Sequence, residues 1–107
     1  MVRVQKFKMV TKEEILAKLK TILDPELKIN VVDLGLIYEI SVDSQNNVEI
    51  LMTLTTPFCP LSAFFEKELM SAVKKVKDIE DVKINLTFDP PWDASKMSEE
   101  ARLQLGL

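Results

Sequence analysis

The chain has 107 residues, which is enough for one domain with its own hydrophobic core but not comfortably for two. Its 14 Lys and Arg are dispersed among 17 Asp and Glu, and the net charge of −3 argues against nucleic acid as the main partner, because phosphate binding needs a concentrated basic face. The absence of histidine excludes a histidine general base, the usual catalytic triad and a zinc site built from imidazole.

The single cysteine, Cys59, cannot form a disulfide within the chain, and no apolar stretch approaches the length of a membrane span. The composition, 47% hydrophobic and 29% charged, is typical of a globular protein. We therefore expect a cytoplasmic protein without a membrane partner, in which the thiol stays reduced.

Residues 1–10 are expected to form a flexible leader, followed by a single domain over residues 11–107. Thr11 and Glu14 have the spacing of a capping box, with Val10 and Ile15 placed for the accompanying hydrophobic staple. A helical stripe of apolar residues then continues to Leu23. Pro25 disfavours helical geometry at Asp24, so the first helix is predicted to end there.

Two alternating segments follow and predict an antiparallel hairpin around the polar sequence DSQNN. In the first segment, Leu36, Tyr38, Ile40 and Val42 are predicted to point one way. In the second, the inward positions are Val48, Ile50, Met52 and Leu54.

Helical spacing returns from Pro60 to about Lys77, and a third alternating strand is predicted to turn Val82, Ile84, Leu86 and Phe88 inward. Ser98 is positioned to cap a short last helix that ends near Gly106. The order α-β-β-α-β-α predicts an α/β fold of the α+β type. It is a two-layer sandwich whose three-stranded mixed sheet has helices on one face, with the second and third strands parallel.

Cys59 lies in the stretch LTTPFCPLSAFF, between the second strand and the second helix. Pro60 suits the first position of a helix, so Cys59 is predicted to be the N-cap residue. The positive end of a helix lowers the pKa of a thiol and favours the thiolate, which binds metal or attacks. The alternative is that Cys59 is a small buried core residue, as free cysteines usually are.

Three carboxylates, Asp24, Glu26 and Asp33, lie in the otherwise apolar connection DPELKINVVDLG. They are candidate oxygen ligands to iron, or partners of the thiol, folded over the cysteine. Two structural alternatives remain open: Asp24 ends a helix, and Asp33 forms a turn before Gly35.

Trp92, which follows two prolines in FDPPWD, has two open interpretations. It either covers the end of the core or forms part of a partner surface.

Four blocks, DPEL, NVVDLGLIYEI, MTLTTPFCPL and LTFDPPW, with a closing MSEEAR-x-x-LG, resemble the SufT-like family of iron–sulfur cluster assembly factors. The same domain occurs in PaaD and in the targeting subunit of the cytosolic iron–sulfur machinery. The resemblance covers residues 11–107 and implies a fold related to the C-terminal domain of NifU-type scaffolds. It also implies a role in maturing or delivering clusters, with assembly proteins and recipient apo-proteins as partners.

The residues that carry over from the matching motifs are Asp24, Glu26, Leu27, Asp33, Thr55, Thr56 and Cys59. The chain lacks the cysteine-rich C-terminal part of PaaD-like members and the two-cysteine CxxC of NifU scaffolds. The stand-alone assembly-factor branch therefore fits better, and stable cluster holding by one chain is not expected.

Iron–sulfur clusters generally take four protein ligands, mostly thiolates, and one chain offers one thiolate. Either two chains of a homodimer bridge a labile cluster through Cys59, or Cys59 passes iron or cluster between partners. We expect a non-enzymatic carrier or targeting factor. The alternatives are an adaptor that docks recipients to the assembly machinery and a monothiol oxidoreductase, since Cys59 and Ser62 form a C-x-x-S similar to that of monothiol glutaredoxins.

Overall fold

A computed structural model describes residues 9–24, 27–55 and 62–107. In chain order, its elements are α1 (Lys12–Leu19), β1 (Ile37–Val42), β2 (Asn47–Met52), α2 (Ser62–Lys74), β3 (Asp81–Leu86), a short 3-10 turn (Ala94–Lys96) and α3 (Glu99–Gln104). The predicted order α-β-β-α-β-α and the α+β class are confirmed. Of the helices in these ranges, none is both long enough and apolar enough to cross a bilayer.

Helix α1 begins as the capping box predicts. The Thr11 side chain accepts a hydrogen bond from the Glu14 N–H, and the Glu14 side chain accepts one from the Thr11 N–H. Val10, which the sequence assigned to the leader, is 3% exposed and joins the core together with Ile15.

The predicted end of α1 at Asp24 is wrong. The last helical residue is Leu19, and Leu23 instead forms an isolated antiparallel bridge with Asn30. The Val31 N–H donates to the Ile22 carbonyl at 3.0 Å, so pairing with a later segment takes over the backbone groups that further helix would use.

The three strands form one mixed sheet in the order β1-β2-β3. Strand β2 pairs antiparallel with β1 and parallel with β3, as predicted. The inward face of β2 is confirmed, because Val48, Ile50, Met52 and Leu54 are all buried. On the opposite face Glu49 is exposed, so one face packs on the core and the other stays open.

Two predicted side-chain positions are wrong: Tyr38 does not join the core with Leu36 and Ile40, and Phe88 does not point inward. A register shift between Ile37 and Glu39 interrupts the alternation of β1, and Tyr38 is only partly buried and lies outside the core cluster. Phe88 falls beyond the end of β3 and is 39% exposed, because the chain has already left the sheet at Leu86.

The two helices that cover the inner face contact different strands, α1 packing on β1 and α2 on β3. Leu69 and Val73 of α2 are fully buried. The last helix, α3, begins at the predicted cap, where the Ser98 side chain accepts from the Ala101 N–H. It also contributes Ala101 to the core, so the core extends from Val10 to the C-terminal part of the chain.

Candidate functional site

The last residue of β2 lies beside the first residue of β1 and the last residue of β3, and we call this end of the sheet the site end. The Thr53 N–H donates to the Leu36 carbonyl at 2.8 Å, and the Thr87 N–H donates to the Met52 carbonyl at 2.9 Å. Thr55, two residues beyond Thr53, is exposed. The chain that leaves β2 at the site end therefore continues in sequence to Cys59. Thr56 and Cys59 themselves lie outside the described residues.

At the opposite end of the sheet, which we call the turn end, two contacts fix the directions of α1 and α2. The Val10 N–H, just before α1, donates to Asn46 Oδ1 in the β1–β2 turn at 3.0 Å. Lys74, the last residue of α2, forms an ion pair with Asp81 at the start of β3, with 3.4 Å between Nζ and Oδ1. Helix α1 therefore runs toward the site end, and α2 begins there at Ser62, three residues after Cys59.

Asp24 organises the chain that follows α1. Its Oδ1 accepts from the Leu27 N–H at 2.8 Å, and its carbonyl accepts from the Lys28 N–H at 2.9 Å. Lys28 has a positive φ of 60°, and the Asp24 N–H donates to the Ile29 carbonyl. These bonds close a reverse turn in which Leu27 is partly buried against the core, while Glu26 lies outside the described residues.

Asp33 is bound locally as well. Its Oδ2 accepts from Asn30 Nδ2 at 2.6 Å, and its N–H donates to Asn30 Oδ1 at 2.9 Å. The neighbours Val31 and Leu34 are fully buried, which anchors this turn in the core. The structural alternative for Asp33, a turn former, thus has specific hydrogen bonds behind it, whereas Asp24 binds the chain after α1 and does not end that helix. A role for either carboxylate toward the thiol or iron stays a prediction.

Trp92 lies against the same turn. Its indole N–H donates to the Leu34 carbonyl at 2.7 Å, and its partly buried side chain packs on the core cluster. This geometry supports the interpretation that Trp92 covers the end of the core. Its use as a partner surface stays a prediction.

The C-terminal segment of residues 89–98, which we call the brace, adds residues to the site that the sequence did not single out. The Tyr38 hydroxyl donates to the Pro90 carbonyl at 2.8 Å, and Lys96 Nζ lies 5.3 Å from the centroid of the Tyr38 ring. Gly35 has a φ of +81°, and a Cβ on it would lie 2.1 Å from the Lys96 carbonyl oxygen. Gly35 was recognisable from its place in the turn DLG, but nothing in the alternation of β1 identified Tyr38.

A groove of about 640 Å³ opens between the brace and the open face of the sheet. Leu51 and Ile37 contribute apolar surface to it, and Glu39 and Asp89 contribute carboxylates. Elsewhere in the brace, Asp93 accepts hydrogen bonds from the Ser95 side chain and N–H, which lower the pKa of the Asp93 carboxyl. Within residues 9–24, 27–55 and 62–107, no group of three or more His, Cys, Asp or Glu is arranged to hold a metal ion.

A protein-family model described as "Iron-sulfur cluster assembly protein" matches residues 12–86. An "Fe-S protein maturation auxiliary factor" of Porphyromonas gingivalis is 47% identical over 96 residues, which are 90% of this chain and 91% of that protein. An "Iron-sulfur cluster carrier protein" of Synechocystis is 32% identical over 87 residues, 81% of this chain but only 24% of the longer relative.

Among solved structures, the conserved hypothetical protein TM0487 from Thermotoga maritima superposes with a TM-score of 0.82 at 48% identity. The superposition covers 94% of this chain and 98% of that one. The fold and the length of the chain are therefore shared with this relative almost end to end.

Proposed function

Because the chain belongs to the iron–sulfur cluster assembly protein family, we propose that it carries or targets iron–sulfur clusters to recipient apo-proteins through a thiolate at Cys59. In this proposal its role is not catalytic. Its partners are the proteins that assemble clusters and those that receive them.

The observation that supports a thiolate mechanism is the meeting of the motif segments at the site end. Four features lie at the site end: the turn of Asp24, the turn of Asp33, the end of β2 near Thr55, and the brace. Helix α2 also begins there. A thiol near a helix N-terminus has a lowered pKa and is a better metal ligand at neutral pH. Cys59 is four residues from Thr55 and three from Ser62, so it belongs to the connection between these two elements.

The number of ligands decides the form in which a cluster is carried. One thiolate per chain is far from the four ligands that a stable cluster usually has. We propose that two chains bridge a labile cluster through their Cys59 residues, or that Cys59 holds cluster or iron only during transfer. A poor ligand set suits a carrier, because few protein bonds must break when the cargo leaves.

The groove beside the brace favours a second candidate function, a non-catalytic adaptor. It combines apolar surface at Leu51 with carboxylates at Glu39 and Asp89, and protein interfaces likewise join an apolar core to a polar rim. In this alternative, recipients dock on the chain and Cys59 is a passive part of the fold. A monothiol oxidoreductase is the remaining alternative, and glutathione-linked reduction that depends on Cys59 would be its signature.

The experiment that separates these functions is anaerobic iron–sulfur reconstitution of the wild type and Cys59→Ser. Iron, sulfide, visible absorbance and oligomeric state are measured together, and the loaded protein is then mixed with an apo-protein. Uptake by the wild type alone, with transfer, supports the carrier, and dimer formation on loading supports the bridged cluster. Equal behaviour of the two proteins contradicts the thiolate proposal and leaves the adaptor.

The cytoplasmic location expected from the lone thiol also stays a proposal. Fractionation of cells that contain the tagged protein checks it, and recovery outside the cytoplasm contradicts it.

A further inference from the structure

The family model stops at residue 86, but the brace is bonded to the turn that carries Asp33. The Trp92 indole N–H donates to the Leu34 carbonyl at 2.7 Å, and the Ser98 N–H donates to the Asp33 carbonyl at 2.8 Å. The segment after the matched region therefore supplies two donors to the motif VDLG inside it.

These donors satisfy carbonyls that the turn cannot satisfy alone. Within the turn, the carbonyls of Asn30, Val31 and Val32 accept from Leu34, Leu36 and Gly35 N–H groups respectively. The next two carbonyls, those of Asp33 and Leu34, are at the end of this helical turn, where local donors run out. Leu34 is fully buried, so its carbonyl needs a protein donor, and Trp92 provides it.

The brace and the turn also fit together at backbone contact. A Cβ added to Gly35 would lie 2.1 Å from the Lys96 carbonyl oxygen and 2.8 Å from the Lys96 Cβ. Tyr38 also binds the brace, at Pro90 through its hydroxyl, and faces Lys96 with its ring. Little room remains for the turn to shift relative to the brace.

The Asp33 turn is itself bonded to the end of β2, where the chain leaves the sheet toward Thr55. The Leu36 carbonyl accepts from the Thr53 N–H at 2.8 Å, and Thr53 is fully buried two residues before Thr55. The brace is tied to the same place through β3, since the Thr87 N–H donates to the Met52 carbonyl. Two separate routes thus connect residues 89–98 to the strand that leads to Cys59.

We propose that Trp92 and Tyr38 are positioning residues for the cluster-handling site. They hold the Asp33 turn and the exit of β2 in the arrangement that Cys59 requires, without touching the cargo. This inference rests on the proposed function, and it assigns the C-terminal segment beyond the family match to the site.

The test uses two variants that each remove one donor and keep an aromatic ring, Trp92→Phe and Tyr38→Phe. Thr11→Ala is the matched control, because it weakens the cap of α1 at the turn end without touching the brace. Each full-length protein is assayed for thermal midpoint, for iron and sulfide uptake, and for the rate at which iodoacetamide alkylates Cys59.

We expect Trp92→Phe to lower cluster uptake by roughly tenfold, the size of effect typical of residues that orient a metal ligand, and Tyr38→Phe to lower it less. The alkylation rate of Cys59 should change in both variants. Thr11→Ala should lower the thermal midpoint while uptake and alkylation rate stay at wild-type values.

If Trp92→Phe and Tyr38→Phe behave like Thr11→Ala in uptake and alkylation, the positioning role is wrong and the brace serves stability alone. If the wild type takes up no cluster, the proposed function fails, and the alkylation rates alone decide on the brace. If Trp92→Phe does not fold, Tyr38→Phe provides the same comparison.

Discussion

Two glycines of this chain have nearly the same backbone conformation but different surroundings. Gly35 has a φ of +81° and Gly106 a φ of +77°, both in the left-handed region. A Cβ on Gly35 would meet the Lys96 backbone at 2.1 Å, whereas nothing lies within 4 Å of a Cβ on Gly106. The pair therefore separates the effect of conformation from the effect of crowding.

We expect Gly35→Ala to lower the free energy of unfolding by roughly 3–5 kcal/mol, because backbone strain and overpacking add. The control Gly106→Ala should lose at most about 1 kcal/mol, the cost of the left-handed conformation, because the exposed end of the chain can unfold locally to avoid it. Chemical denaturation of both variants measures the difference. Equal losses would mean that the brace moves away from Gly35 without cost.

The Asp43 carboxylate accepts three hydrogen bonds in the β1–β2 turn, and these favour its charged form. The Asn47 N–H, the Asn47 side-chain amide and the Gln45 N–H donate to its carboxylate and hold its pKa below the ordinary value of 3.8. Because the folded pKa is lower than the unfolded one, this stabilisation is fully present above pH 3.8 and is lost as the pH falls through the folded value.

We therefore expect Asp43→Asn to lower the thermal midpoint at neutral pH, and the gap to the wild type to narrow at about pH 2.5. Ser44→Ala, in the same turn, is the control, and its thermal midpoint should equal that of the wild type at both pH values. A gap that stays constant on acidification contradicts a role for the charge.

At the scale of elements, Asn46 joins three segments at the turn end. It is fully buried with a positive φ of 61°, its Oδ1 accepts from the Val10 N–H, and its Nδ2 donates to the Asp78 carbonyl. The Glu80 N–H also donates to its carbonyl. One side chain in the β1–β2 turn thus holds both Val10, just before α1, and Asp78, just before β3.

Asn46→Ala should cost roughly 2–4 kcal/mol, because it strains the left-handed position and leaves buried backbone groups without partners. Asn46→Gly relieves the strain but not the lost bonds, so it should lose less than Asn46→Ala. Urea titration of both variants checks this order, and the reverse order would show that strain at this position is unimportant.

The elements also show what sequence patterns can and cannot predict. The cap at Thr11, the inward face of β2 and the cap at Ser98 depend on neighbouring residues, and all three are confirmed. The early end of α1 depends on Ile22 pairing with Val31, a contact between segments that periodicity does not contain. For the candidate site, the motifs named Asp33 and Trp92, whose roles there stay predictions. The brace contacts at Tyr38 and Lys96 arise only when the chain has folded.

For the whole molecule, the extent of the family match and the extent of the core differ. The match ends at residue 86, whereas Met97 and Ala101 are buried core residues and Trp92 packs on the same cluster. Residues 87–107 are therefore part of the folding unit.

We expect a chain ending at Leu86 to unfold at a much lower temperature or to lack a cooperative transition, because it loses buried apolar area and the donors of the brace. A chain that lacks only 105–107 should keep a near-native midpoint, since Leu105 and Leu107 are exposed. Calorimetry of the two truncations tests this, and a cooperative, native-like transition in the shorter chain would contradict it.

The register shift in β1 has a consequence for how copies of the chain meet. Among the described residues, β1 and β3 are the outer strands of the sheet, and unprotected strand edges invite sheet-to-sheet growth between molecules. On β1 the irregularity at Ile37–Glu39 breaks the repeat that a neighbouring strand would need, and on β3 the exposed Lys83 places a charge beside the edge. Ribbon-like polymerisation is thereby disfavoured, and in the proposed homodimer we expect the two chains to meet away from these strand edges.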